Sequence, residues 1–179
     1  MAYSIEEHKH RFAAWAAGRA ATVNGCRFKV EQGKEIIELS GIMDIGKDIN
    51  KLPRPDGFDN SHREWRNSVI QAAQRFQPAF THGVAAKLIN IYFKSIFVCG
   101  GHHNDPRIKA IHPPIDSVLL DDLYNRNIGG LRYEWQEARR IRWSKLSSDE
   151  YEHLISCIKK VIPQGSGLWS IEEHWRGYQ

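Results

Sequence analysis

The chain has 179 residues, 41% hydrophobic and 26% charged, with a net charge of +4 and an isoelectric point near 9.0. This composition excludes an intrinsically disordered chain. The length suits one domain over 1–179, with room for two lobes, that buries roughly 70% of the surface its unfolded form exposes. The basic balance favours a polyanionic partner.

Cys26, Cys99 and Cys157 are widely spaced and form no C-x-x-C pair, and no apolar run follows a basic start. A disulfide framework, a zinc ribbon and secretion are therefore disfavoured. The longest apolar stretch, 88–98, carries Lys94 and falls short of the roughly 20 residues of a bilayer span. A cytoplasmic protein with reduced thiols and no membrane partner is expected.

Ser4 and Glu7 are spaced as a capping box for a helix from Ile5 to about Ala21, with Ile5, Phe12, Trp15 and Ala16 as its inward face. Asn24-Gly25 marks a turn, and Phe28 to Leu39 reads as a second helix closed by Ser40-Gly41. Pro53, Pro55 and Gly57 make Met43 to Asn60 a loop. Ser61 and Glu64 then cap a helix to about Phe76, with Trp65, Val69, Ala72, Ala73 and Phe76 inward and Pro78 ending it.

The segment from Val84 to Val98 is apolar nearly all the way round, as in a helix packed inside a core. Lys87, Asn90 and Lys94 fall at i, i+3 and i+7 and line one polar stripe along it. The run from Gly100 to Asp105 breaks the helix, and Pro113-Pro114 forces an extended approach to the next one, which opens at Ile115 with Asp116 in its first turn. Beyond it, Arg126, Arg132, Arg139, Arg140, Arg142 and Lys145 face only Glu134 and Glu137, with Tyr133, Trp135 and Trp143 between them. Basic residues interleaved with aromatic ones suit phosphates and stacked bases, and equally suit a solvated helix face over a tryptophan core. Ser147 to Glu150 caps a helix through Ile162, and Leu168 to Trp175 is a short last one. No stretch alternates with a period of two, so the expected fold is all-α.

Asp116 can serve as a helix N-cap, or as a carboxylate presented for chemistry. Lys87, on a buried helix, belongs to a residue type whose pKa falls on burial and which then suits amine nucleophilic work.

The run Gly83-Val84-Ala85-Ala86-Lys87-Leu88-Ile89-Asn90 resembles the hairpin and following helix of the helix-hairpin-helix DNA glycosylases, whose motif reads Gly-Val-Gly-x-Lys. Pro114-Ile115-Asp116-Ser117 is similar to their Pro-Val-Asp-Thr segment, which carries the catalytic aspartate. Ala85 replaces the second hairpin glycine, Ser117 replaces the threonine, and the interval between Lys87 and Asp116 is longer than usual. The cysteines of an iron-sulfur centre are absent, so no cofactor or metal is implied.

The resemblance implies a compact helical domain with a helix-hairpin-helix element and a long catalytic-aspartate loop, acting as a monomer on double-stranded DNA. Asp116 would stabilise the oxocarbenium sugar or activate water as a modified or damaged base leaves. Lys87 stands where bifunctional members form a Schiff base. His82, Gly83, Val84 and Ala85 would offer amides to a phosphate, with Lys94, Arg139, Arg140 and Arg142 as further DNA contacts. Tyr92, Trp15 and Trp135 are the candidates to wall the pocket of a flipped base. A looser resemblance, to prokaryotic antiphage glycosylases, would narrow the substrate to hypermodified phage DNA such as glucosylated hydroxymethylcytosine. Two rivals stand beside this reading: a metal-dependent nuclease using His102, His103, Asp105 and His112, and a non-catalytic helix-hairpin-helix DNA-binding module in which Asp116 is only a cap.

Overall fold

The computed structural model describes residues 3–76 and 79–178, so the expected role of Pro78 lies outside the described residues. All regular structure among them is helical, apart from an isolated bridge between Val23 and Cys26.

Helix α1 spans Ile5–Ala21 as expected, with the Ser4 side chain accepting the Glu7 amide. Its buried face is not the expected one. Ala13, Ala14, Ala17 and Ala21 are fully buried, whereas Ile5, Phe12 and Trp15 are more than half exposed. The reason is close helix packing: a Cβ on Gly18 would lie 3.5 Å from Val30 Cα, and one on Gly33 would lie 3.2 Å from Gly18 Cα. Small side chains let α1 and α2 (Val30–Leu39) approach, and bulky ones are left outside.

The expected loop 43–60 is partly ordered into α3 (Ile42–Gly46) and 3-10 turns at Ile49–Lys51 and Pro55–Gly57. Helix α4 (Phe58–Ala73) begins before Ser61, which is therefore inside the helix and not its cap. The buried Phe58 ring anchors this earlier start.

Helix α5 runs from His82 to Phe93, with the Thr81 hydroxyl accepting the Val84 amide, and continues in wider turns from Lys94 to His102. By length and composition this 21-residue helix could cross a membrane, longer than the apolar run alone suggested, but 61% of its most apolar window is buried inside the fold. It is the core helix here. A short α6 (Pro106–Lys109), α7 (Ser117–Asn125), α8 (Arg132–Ile141), α9 (Ser148–Val161) and a 3-10 segment (Leu168–His174) complete the chain.

Two apolar clusters share α5. One joins α1, α2 and α4 to Val84, Ala85, Leu88 and Ile89 of α5, and the other joins α7, α8, α9 and the C-terminal segment around Ala86. Trp143 packs against both. The polar stripe of α5 meets the polar groups gathered between them, so each of its side chains finds a partner rather than water.

Candidate active site

Asp116 ends the extended Pro113–Pro114 approach and caps α7: its Oδ1 accepts the Leu119 amide at 2.9 Å. Its Oδ2 accepts from Lys87 Nζ at 3.1 Å and from the Trp175 indole N–H at 3.1 Å. The two members of the ion pair differ in exposure, 7% for the Lys87 side chain and 23% for that of Asp116. Burial pushes the Lys87 pKa down, and the Asp116 charge opposes that shift. Lys87 Nζ also lies 4.6 Å from the centre of the Trp143 ring, a cation over an aromatic face. A partly desolvated amine and a carboxylate open to the surface thus meet between two tryptophans.

Two turns along α5, Lys94 is ion-paired with Glu172. Burial raises the Glu172 pKa, with the Lys94 charge opposing, and its Oε1 is buried without a hydrogen-bond partner. Lys94, expected as a DNA contact, is thus committed to an internal partner.

The Trp143 ring also lines a cleft of about 400 Å³. Ser117, Asp121, Arg139, Arg142 and Lys145 line it too, three cations against one carboxylate, directly after the capping aspartate. Arg142 holds φ at 73°, a left-handed conformation unusual for a non-glycine residue, where α8 turns into the 143–145 segment. Arg139 is ion-paired with Asp121 and lies 4.4 Å from the Tyr124 ring centre. Arg140 does not line this cleft; it is exposed and pairs with Glu137 at 2.7 Å.

The residues expected to form a phosphate-binding hairpin are already in the first turn of α5. The Gly83 amide donates to Leu146 O at 3.2 Å, and the Ala85 amide donates to Thr81 O at 3.0 Å. The Val84 amide donates to the Thr81 hydroxyl, which in turn donates to Ser144 O at 2.8 Å. These contacts strap residues 143–146 across the helix N-terminus, so Gly83, Val84 and Ala85 are buried and their amides are not free for a phosphate. His82 is part-buried, with Nδ1 accepting from Arg66 at 3.4 Å.

The expected base-pocket aromatics do not meet. Tyr92 is buried in the first cluster with its hydroxyl on His10 Nδ1 at 2.9 Å, and Trp135 is buried in the second with its indole N–H on Ile128 O at 2.9 Å. Trp15 is on the outer face of α1. Trp143 and Trp175 flank the lysine and aspartate instead, and no local spacing in the sequence marks Trp175 for that place.

The nuclease ligands do not converge either. His112 is buried between the Tyr151 hydroxyl and Asp59, Asp105 caps α6, and His103 lies edge-on to Trp169. Among the described residues no group of three or more His, Cys, Asp or Glu side chains is placed to hold a metal ion.

Asn90, the middle of the stripe, belongs to a buried network whose direction follows from its ends. The Arg66 guanidinium only donates, so His62 Nδ1 accepts from it at 2.9 Å and His62 Nε2–H donates to Asn90 Oδ1 at 2.8 Å. Asn90 Nδ2 donates to Pro113 O at 2.9 Å and to the Tyr151 oxygen at 3.0 Å. The Tyr151 hydroxyl then donates to His112 Nδ1 at 3.1 Å, and His112 Nε2–H donates to Asp59 at 3.0 Å. This chain ties α4, α5 and α9 to the Pro113 carbonyl, three residues before Asp116, and so fixes the approach to the site. In sequence, His62 and Arg66 read only as polar residues one turn apart on a helix.

No protein-family model, curated protein or solved structure matches this chain.

Proposed function

We propose that the protein is a DNA N-glycosylase that hydrolyses the bond between sugar and base at a flipped, modified or damaged nucleotide. The observation that carries this reading is the contact between Lys87 and Asp116 beside the basic cleft of Arg139, Arg142 and Lys145. In it, the Asp116 carboxylate faces the sugar, where a fixed anion with few waters favours positive charge developing at C1′. Water attacks C1′ as the base departs with the bonding pair, and Asp116 accepts the proton that the water loses. The cleft holds the DNA backbone, and Trp143 and Trp175 offer faces for a base or sugar. Lys87, its pKa lowered by burial, is the amine of an associated lyase step. Once Asp116 has released the proton from water to solvent it takes one from Lys87, and the free amine condenses with the C1′ aldehyde of the abasic sugar with loss of water, before β-elimination expels the 3′ phosphate.

The test is base release, measured by mass spectrometry with chelator present, from ordinary duplexes, damage-containing duplexes and glucosylated-hydroxymethylcytosine phage DNA. Release that vanishes in Asp116→Asn while DNA affinity stays supports the glycosylase and names its substrate. The cap itself favours a second reading, a non-catalytic DNA-binding module, because Asp116 Oδ1 is fully used by the Leu119 amide in that role. Asn caps helices as well as Asp, so under that reading Asp116→Asn costs stability at the Lys87 pair but leaves DNA affinity unchanged, and no DNA releases a base.

A further inference from the structure

Arg139 of α8 and Arg142 just beyond its end line the basic cleft, whereas Glu134 and Glu137 line a second cleft of about 490 Å³ against α9. Across that second cleft stand Asp149 and Glu150 from the first turn of α9. Its floor is apolar, with Ile141, Leu146 and Leu154 among its lining, and Tyr133, 72% exposed, stands at its edge. No lysine or arginine lines it, and His153 is its one imidazole. In a chain of net charge +4, an apolar cavity with four carboxylic acids and no lysine or arginine in its lining is distinctive, although Arg63 acts on Asp149 from outside it. Of those carboxylates, Glu137 is paired with Arg140 and Glu150 closes the α9 capping box.

We propose that the cleft between α8 and α9 binds a small organic cation with an apolar body, an alkyl or aralkyl ammonium. Its volume is that of a small-molecule site, and a protein partner would need a far larger surface than this cleft presents. The apolar floor takes the hydrocarbon body, and the carboxylate rim takes the ammonium, whose burial alone would be costly without such partners. An anion of the same shape is excluded by the same rim. The inference is independent of the glycosylase reading, because the cleft shares no lining residue with Lys87, Asp116 or the basic cleft.

The probes are 4-phenylbutylammonium, the uncharged 4-phenylbutan-1-ol and 4-phenylbutyrate, titrated into the full chain and followed by backbone amide NMR. The ammonium is expected to shift resonances of 133–141 and 149–157 and to bind about ten-fold tighter than the alcohol, with the carboxylate weakest. The double variant Glu134→Gln/Glu137→Gln, at solvent-accessible positions, should lose about ten-fold in ammonium affinity and leave alcohol binding unchanged. Equal affinity for ammonium and alcohol, indifference to the double variant, or shifts confined to other helices overturns the proposal. So does a dimer in sedimentation that dissociates in the double variant, since a second copy would then be the occupant.

Discussion

Gly83 sits so close beneath the carbonyl of Trp143 that a Cβ on it would stand 1.8 Å from that oxygen. The glycine is required for the strap that crosses the start of α5 and sets the Trp143 ring over Lys87. Gly83→Ala must therefore displace backbone, not a flexible side chain. The expected cost is about 2–3 kcal/mol in urea denaturation, with a change in Trp143 fluorescence environment. An alanine variant as stable as wild type would mean that the strap is not held there.

The unequal burial of Lys87 and Asp116 predicts unequal losses. Asp116→Ala removes a cap and leaves a buried ammonium without its counter-charge, a loss of about 3 kcal/mol. Lys87→Met leaves a carboxylate that is 23% exposed and still accepts from Leu119 and Trp175, so the loss should be about 1 kcal/mol or less. Urea midpoints of the two single variants and the double variant decide this; equal losses would contradict it.

Arg66 is fully buried and holds His62, Ser148 and Glu152 together while lying 4.5 Å from the Tyr151 ring centre. Arg66→Met takes a donor from Ser148 and removes the donor that orients the buried His62, while Glu152 keeps Arg63. About 2–3 kcal/mol should be lost, more than for Lys87→Met, because a fully buried imidazole nitrogen is left without its donor. Thermal and urea unfolding measure it directly, and a loss below that of Lys87→Met would refute the ranking.

Acid should act on this network in two windows. Burial lowers the pKa values of His62 and His112 from the ordinary 6.5, with Asp59 partly offsetting the shift at His112. The unfolded chain therefore binds protons that the fold refuses, and the stability present above about pH 6.5 falls below it by about 1.4 kcal/mol per pH unit for each such histidine. Glu152 acts in the same direction at lower pH: Arg63, first among its partners, lowers it from 4.5 to about 2, so its contribution is present above pH 4.5 and is lost as pH falls toward 2. Urea midpoints between about pH 7.5 and 3 should begin to drop near 6.5 and steepen below 4.5. A flat profile down to pH 5 would show that both histidines are protonated in the fold.

On α1 the small residues should matter more than the large ones. Phe12→Ser and Trp15→Ser, both at exposed positions, should alter stability by about 0.5 kcal/mol or less. Ala14→Leu, at a fully buried position, should cost about 1–3 kcal/mol by overpacking. Denaturation of the three variants would reverse this reading if the aromatic changes proved the costlier.

Local order was legible in the residues. The helical class, the bounds of α1, the buried character of α5, its stripe of Lys87, Asn90 and Lys94, and Asp116 at the head of α7 all follow from spacing and capping within a few residues. The same local rules placed the start of α4 at Ser61, because they weigh a capping pattern and not the buried Phe58 ring ahead of it. Tertiary packing decided the rest. Lys87 meets Asp116 across 29 residues, Trp175 reaches Asp116 across 59, and Arg66 reaches Ser148 across 82. Side-chain type announces that each of these groups needs a partner, since buried charge and polar atoms without one are costly. Only the way two apolar clusters close on α5 determines which partner each receives, and so turns a polar stripe and a helix cap into one site.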